Sequence, residues 1–413
     1  MRKKEEGHNM LINEPVVIYG KEVKNRIVFN PMEGCDGTAD GSPDELTVRR
    51  YMRFAESGAG IIWFEATAVS DECRANPRQL FINNGNADRF RRLVAEIKNK
   101  ALAVCGFEPI VVMQATNSGR WSKPNGYPEP LIAYHNSLWE KGKEELPYKV
   151  VNDEYCDGMA EKYAAAAQLA SYAGFDGIDV KCCHGYLFNE FLSAYDRPGK
   201  YGGSFENRSK LYFDCIEAVN RAKSDDLFIT TRLNACDCFD YHYGFGVNDK
   251  NEIDLSETKK IIVKLSTYGI EMINLTLGNP YLIPHINRPC INAPENGEIG
   301  EKRIYDITKE LQSSFPDIKF VMPGLSYFGE NAITYVENAL KDNAAVFAGF
   351  GRMAFSYPQF YSDYINFGKI DKAKCCLTCG KCTELMRNGS ATGCPVRDSE
   401  VYLGMYKEKV LKR

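Results

Sequence analysis

The strongest constraint on the fold is a recurring pattern. Short apolar runs stand at 26–29, 60–65, 110–114, 177–181, 228–233, 272–275, 318–322 and 345–349. They are mostly continuous and rich in Val, Ile and Phe, which is how strands buried on both faces read. Helical patterns lie between many of them. The clearest is 153–173, alanine-rich, with Asn152 placed to cap its start and Gly174 to end it. Residues 207–222 and 254–268 repeat the theme. Eight such strands alternating with helices predict a parallel α/β fold, and the count selects a (β/α)8 TIM barrel over an open sheet.

Composition narrows the functional classes. Of 413 residues, 44% are hydrophobic and 26% charged, with a formal net charge of −4. These values exclude a disordered, collagen-like or polybasic chain and argue against nucleic acid as the main partner. No apolar run reaches the roughly 18–20 residues that a membrane span needs. The start, MRKKEEGHNM, lacks the apolar stretch of a signal peptide, so a cytoplasmic location is expected. Two Pro-rich, aperiodic stretches, 121–150 and 281–300, are expected to be loops over the mouth of a barrel. No GxGxxG or GxxxxGK[ST] fingerprint is present.

The chain holds 15 cysteines, an odd number that argues against a disulfide framework. Ten are scattered between Cys35 and Cys290 and are expected to be mostly buried apolar thiols, whereas Cys375, Cys376, Cys379, Cys382 and Cys394 fall within twenty residues. The set Cys376-x2-Cys379-x2-Cys382-x11-Cys394-Pro395 has three closely spaced thiols and a distant fourth, a spacing that favours a [4Fe–4S] cluster. Zinc sites more often pair two CxxC knuckles. Cys375 is the spare. The expected division is a barrel over 1–365 and a cluster-binding segment over 366–413.

Directly after the strand GIDV comes Lys181-Cys182-Cys183-His184-Gly185-Tyr186-Leu187. A cation, two thiols, an imidazole and a phenol meet there at the end of a barrel strand, where catalytic groups collect. The run continues as HGYLFNEFLSAYDRPGKYGGSFENR, which resembles the signature of the Old Yellow Enzyme family of FMN-dependent oxidoreductases. VKNRIVFNPMEG, AGIIWFEATAV, VVMQATNSGR, TTRLNA, VMPGLSYF and VFAGFGRMAFSYP resemble further motifs of that family, in family order, from about residue 11 to 358. Asn117 replaces a histidine usual in the third motif, and Lys181 replaces a usual His or Tyr.

The resemblance implies FMN held by Pro31, Met32, Glu33 and Ala66 along one side, with Gln114 on the pyrimidine edge. It places Arg232 near N1 of the flavin, and Gly324, Ser326, Gly351 and Arg352 at the phosphate. It implies that His184 holds a substrate carbonyl oxygen, that Tyr186 protonates the α-carbon, and that Lys181 either joins them or forms a salt bridge elsewhere. Glu33 sits where family members vary a flavin-tuning residue. The cysteine segment matches the 2,4-dienoyl-CoA reductase and trimethylamine dehydrogenase branch, whose members usually continue into FAD- and NAD(P)H-binding domains. Only nineteen residues follow Cys394 here, so electrons are expected from a ferredoxin, a flavodoxin, a flavoprotein reductase, or NAD(P)H acting directly.

The leading expectation is an ene-reductase acting on an unsaturated carbonyl substrate such as an enone, an enoyl-CoA or an aryl-acrylate. Two alternatives are an oxidative flavin dehydrogenase draining electrons through the cluster, and a non-catalytic electron-transfer or zinc-binding barrel. Barrels of this size often form homo-oligomers.

Overall fold

A computed structural model describes residues 10–412. Its centre is a closed parallel barrel of eight strands in sequence order. The strands are β1 (Ile27–Phe29), β2 (Ile61–Ala68), β3 (Ile110–Thr116), β4 (Gly177–Val180), β5 (Phe228–Asn234), β6 (Met272–Thr276), β7 (Lys319–Met322) and β8 (Phe347–Phe350). Every residue of β2, β3, β4, β5, β6 and β8 is buried, as expected of strands covered on both faces. All eight expected strands are present, with ends shifted by up to three residues.

Eight helices follow the strands in turn: α1 (Glu45–Ala55), α2 (Ala87–Cys105), α3 (Met159–Tyr172), α4 (Phe205–Ala222), α5 (Ser256–Ser266), α6 (Gly297–Ser314), α7 (Ala332–Lys341) and α8 (Phe360–Phe367). Their apolar stripes cover the barrel. On α1, Tyr51 stacks on Phe64 of β2 at 4.0 Å, and Phe54 meets Phe29 of β1 edge-on at 5.1 Å. The pattern over 153–173 divides in two, because the chain breaks at Gly158 between Asp153–Asp157 and α3; Asn152 caps the first piece through the Tyr155 amide.

An N-terminal hairpin, Val16–Ile18 with Lys21–Val23, packs Ile18 and Val23 among Val28, Ile61, Trp63, Val112 and Phe347 in the barrel interior. Its turn residues Tyr19 and Gly20 both have positive φ, 48° and 72°, which suits a two-residue hairpin turn. The Tyr19 ring stacks on Phe228 at 4.2 Å, and its hydroxyl donates to the Ile229 carbonyl. With this hairpin packed against the strand starts, the site is left to the C-terminal ends of the strands.

Beyond α8 the chain turns back onto the barrel, carrying α9 (Lys381–Arg387) and α10 (Ser399–Tyr406). Asp398 accepts from Arg49 at 2.7 and 2.8 Å and from Arg53 at 2.5 Å, both on α1. The Thr392 amide donates to the Gly34 carbonyl at 2.6 Å. Among the described residues, no helix is long and apolar enough to cross a membrane.

Candidate active site

The C-terminal ends of the strands open into a cleft of about 1050 Å³, counting its mouth. All three catalytic and all ten cofactor-binding candidates from the sequence line it. They come from β2, β3 and β5 and from the segments after β1, β4, β7 and β8, so only barrel closure could bring them together.

Behind the lining, Asp179 of β4 organises one side. Its carboxylate accepts from Gln114 Nε2 at 2.6 Å, from Trp63 Nε1 at 2.9 Å and from the Arg232 amide at 2.7 Å. Burial raises Asp179 to about 6 against these three donors. One Gln114 N–H is thereby committed, which orients its amide. The Arg232 guanidinium makes a single long contact, 3.4 Å to the Pro31 carbonyl, and its buried Nε has no partner among the described residues. A buried cation so incompletely satisfied fits a site that receives an electron-rich ring edge.

After β4 the backbone turns sharply. His184 and Gly185 take φ of 67° and 66°, and a Cβ on Gly185 would stand 2.4 Å from Asn279 Nδ2, so glycine is required there. His184 Nε2 lies 3.3 Å from Asn287 Nδ2 and 3.5 Å from Thr276 Oγ1. Burial, with Arg232, Lys181 and Arg288 nearby, holds its pKa well below the usual value, so the imidazole is neutral. The nitrogen of the Asn287 side-chain amide can only donate, so with Nδ2 facing the ring Nε2 is the acceptor and the proton sits on Nδ1. The Tyr186 and Tyr281 hydroxyls meet at 3.1 Å, and the Lys181 ammonium lies 3.6 Å from the centre of the Tyr186 ring. Burial pushes Tyr186 well above the ordinary phenol range.

The far end is a basic cradle. Gly324 has φ of 89°, and a Cβ there would stand 2.8 Å from Glu301 Oε1; a Cβ on Gly351 would stand 2.8 Å from Met32 Sδ. Ser326 Oγ accepts from the Met353 amide at 3.0 Å, and Arg352 donates to the Pro289 carbonyl at 2.8 Å. Arg288 lies close by, lowered to about 10 by burial and by Arg352. The close-packed glycines, and arginines that have no ion pair among the described residues, fit a phosphate. The residues present therefore fit FMN.

A buried triad fixes the loop after β1. Arg50 of α1 pairs with both Asp36 and Glu65, and Glu65 accepts from the Gly34 amide at 2.6 Å. Glu33 on that loop accepts from Asn76 at 2.7 Å, and burial raises its carboxyl although Lys181 opposes the rise. Asn117 stays outside the cleft, closing its own turn through the Gly119 amide at 2.9 Å and donating to Tyr155 at 3.1 Å.

Cys376, Cys379, Cys382 and Cys394 line a second, smaller cavity. Cys376 Sγ accepts from the Thr378 amide at 3.3 Å and Cys394 Sγ from the Arg397 amide at 3.4 Å. Cys375 lies outside, its thiol directed to the Asp371 carbonyl at 3.4 Å. Among the described residues, no three His, Cys, Asp or Glu side chains form a group that could hold a metal ion. Arg352 and Cys382 line both cavities.

Several cleft residues escaped the sequence reading. Tyr281, Asn287 and Arg288 belong to the segment 281–300, expected to be a loop but holding a short helix, Pro284–Asn287, and the first turn of α6; its Pro-rich composition marked the segment but not the side chains. Thr383, Met386 and Arg387 come from α9, where the sequence signal is the cysteine spacing and these side chains carry none. Arg387 reaches back to the Pro280 carbonyl at 2.9 Å.

The profile of the NADH:flavin oxidoreductase / NADH oxidase family matches residues 12–273. An NADH:flavin oxidoreductase of Gibberella zeae is 26% identical over 282 residues, covering 64% of this chain and 66% of that one. An NADPH dehydrogenase of Clostridium acetobutylicum is 28% identical over 281 residues, covering 66% and 78%. Among solved structures, a 2-naphthoyl-CoA reductase in complex with 2-naphthoyl-CoA superposes with a TM-score of 0.77 at 17% identity, over 94% of this chain and 56% of that one. The Old Yellow Enzyme homologue of Zymomonas mobilis gives 0.64 at 19% identity, over 88% and 94%. This chain thus spans little more than half of the first of these structures and just under two thirds of the fungal relative. With the barrel, the ordered motifs and the family match together, the chain belongs to the NADH:flavin oxidoreductase / NADH oxidase family of FMN-dependent enzymes, that of the Old Yellow Enzymes.

Proposed function

We propose that the protein is an FMN-dependent ene-reductase, reducing a C=C bond conjugated to a carbonyl or carboxyl group. The observation that carries this is the convergence of a neutral imidazole, a protonated phenol and a buried lysine on the cleft that also holds Gln114, Arg232 and the basic cradle. When bound, FMN supplies the hydride. Gln114, oriented by Asp179, holds the pyrimidine edge with Arg232, while Arg352, Gly324, Ser326 and Gly351 hold the phosphate. Pro31, Met32, Glu33 and Ala66 complete the pocket wall. His184, protonated on Nδ1, donates to the substrate's carbonyl oxygen, where negative charge develops, and a donor aimed there contributes several kcal/mol. Tyr186 keeps its proton until the α-carbon takes it, and Tyr281, at hydrogen-bond distance, is placed to return one.

In this reading 1–365 is the catalytic barrel and 366–413 the segment that binds a [4Fe–4S] cluster through Cys376, Cys379, Cys382 and Cys394. Four thiols around one cavity, two accepting backbone amides, fit the corners of a cubane. The wall shared through Arg352 and Cys382 would set the two cofactors side by side, serving delivery of electrons from a protein donor. NAD(P)H acting at the flavin is the other source.

Anaerobically purified protein tests this with two panels. Activated alkenes are expected to reoxidise its chemically reduced flavin, and amines to leave the oxidised flavin unbleached. Bleaching by an amine, with no response to any alkene, would replace the reductase with a dehydrogenase.

A further inference from the structure

Lys181 is a catalytic candidate whose ammonium has no ion-pair partner among the described residues. It is 4% exposed, its ammonium forms no ion pair or hydrogen bond among the described residues, and it lies over the face of the Tyr186 ring. The charged and titratable groups nearest it are Glu33, Asp179, Arg232 and Cys183. Glu33 stands beyond ion-pair distance and spends one oxygen on Asn76. Asp179 accepts from Gln114, Trp63 and the Arg232 amide and forms no ion pair with Lys181 among the described residues. Cys183 is a buried thiol whose pKa burial raises to about 12, so it is neutral, and Arg232 is a second cation. Buried ammonium groups persist where an anion completes them. Five cations line the cleft, Lys181, Arg232, Arg288, Arg352 and Arg387, and none is in an ion pair among the described residues. The phosphate and pyrimidine of FMN account for Arg352, Arg288 and Arg232. Arg387 is exposed at the mouth, which leaves Lys181 facing the reacting end of the substrate.

We infer that the substrate is a 2-enoate, an unsaturated acid bearing a free carboxylate, and that Lys181 binds this carboxylate beside His184 and Tyr186. The inference rests on the ene-reductase reading and narrows it from carbonyl compounds in general to free acids. Uncharged enones, esters and amides would leave the ammonium unpaired, and the site discriminates against them on that ground. A thioester also presents no charge at this position.

The test titrates the oxidised holoenzyme with matched pairs, cinnamate against methyl cinnamate and crotonate against methyl crotonate, reading perturbation of the flavin's visible bands. The acids are expected to bind at least tenfold tighter than their esters. Lys181→Met should abolish that preference, and Lys181→Arg should keep most of it. If no acid in the panel binds more tightly than its ester, or if Lys181→Met leaves the ratio unchanged, the inference is wrong. The wild-type ratio decides even if the Met variant does not fold. Reoxidation of the reduced enzyme by neutral enones separates the two claims. Enone turnover without acid preference overturns the carboxylate site alone. Lysine-dependent acid binding with no alkene turnover upholds that site and overturns the reductase.

Discussion

Tyr186→Phe removes one oxygen from the proposed proton donor and little else. The ring remains, so the apolar packing and the face under the Lys181 ammonium at 3.6 Å are kept. The loss to the fold is one hydrogen bond between neutral hydroxyls, with Tyr281 at 3.1 Å, worth about 1 kcal/mol. The loss to the reaction is a positioned general acid, typically about 10²–10⁴-fold, or about 2.7–5.5 kcal/mol of barrier. Tyr281 is too close to be ignored as a substitute donor, which places the effect toward the lower end of that range. Stopped-flow measurement of the two half-reactions separates these effects. Reoxidation of reduced enzyme by alkene should slow by about 10²-fold or more, while flavin reduction and substrate affinity stay within a few-fold of wild type. Because burial holds Tyr186 well above the usual phenol range, the wild-type step should show no titration of this group between pH 6 and 9. Slowing of less than about tenfold, well below the general-acid range, would show that the α-proton comes from elsewhere.

Arg50→Met should destabilise the fold by about 3–5 kcal/mol at pH 8, because it strands Asp36 and Glu65 in the interior. Burial already raises Glu65 to about 7, so its contribution to stability is present at low pH and lost as pH rises through about 7; removing Arg50 extends that loss upward, and urea midpoints should show a larger deficit at pH 8 than at pH 6. Gly324→Ala puts a Cβ 2.8 Å from Glu301 Oε1 at a φ of 89° and should weaken FMN retention by about tenfold or more without unfolding the barrel, measured as flavin content against circular dichroism. Cys376→Ser should lose most of the bound iron and Cys375→Ser should keep it, since only the former lines the cysteine cavity. Equal loss in both variants would contradict the assigned ligand set.

The barrel was legible because parallel strands bury both faces, so β2, Ile61–Ala68, announces itself through the continuous apolar stretch from Ile61 to Phe64. The hairpin inside the barrel was not, because its strands have three residues each and its Tyr19-Gly20 turn lacks the Asn-Gly or Asp-Gly signal. The division of 153–173 was signalled by Gly158 and overridden by the alanine content around it. At the site, residues carried by motifs on or just after strands were readable, while partners supplied across the cleft were not. Asn287, which settles the tautomer of His184, is 103 positions away from it. The Arg50 triad joins a helix, a loop and a strand, and no local spacing encodes that. Arg387 lies five residues past Cys382 in a segment whose cysteines suggested metal chemistry alone, yet its helix also lines the cleft mouth.

Anaerobic single turnover of the reduced holoenzyme measures the central claim. The flavin is reduced chemically, one equivalent of an activated alkene is added, and absorbance and product are followed together. Recovery of the oxidised flavin spectrum with about one saturated product per flavin is the predicted result. A flavin that stays reduced in the presence of every conjugated alkene, acid or neutral, would contradict it.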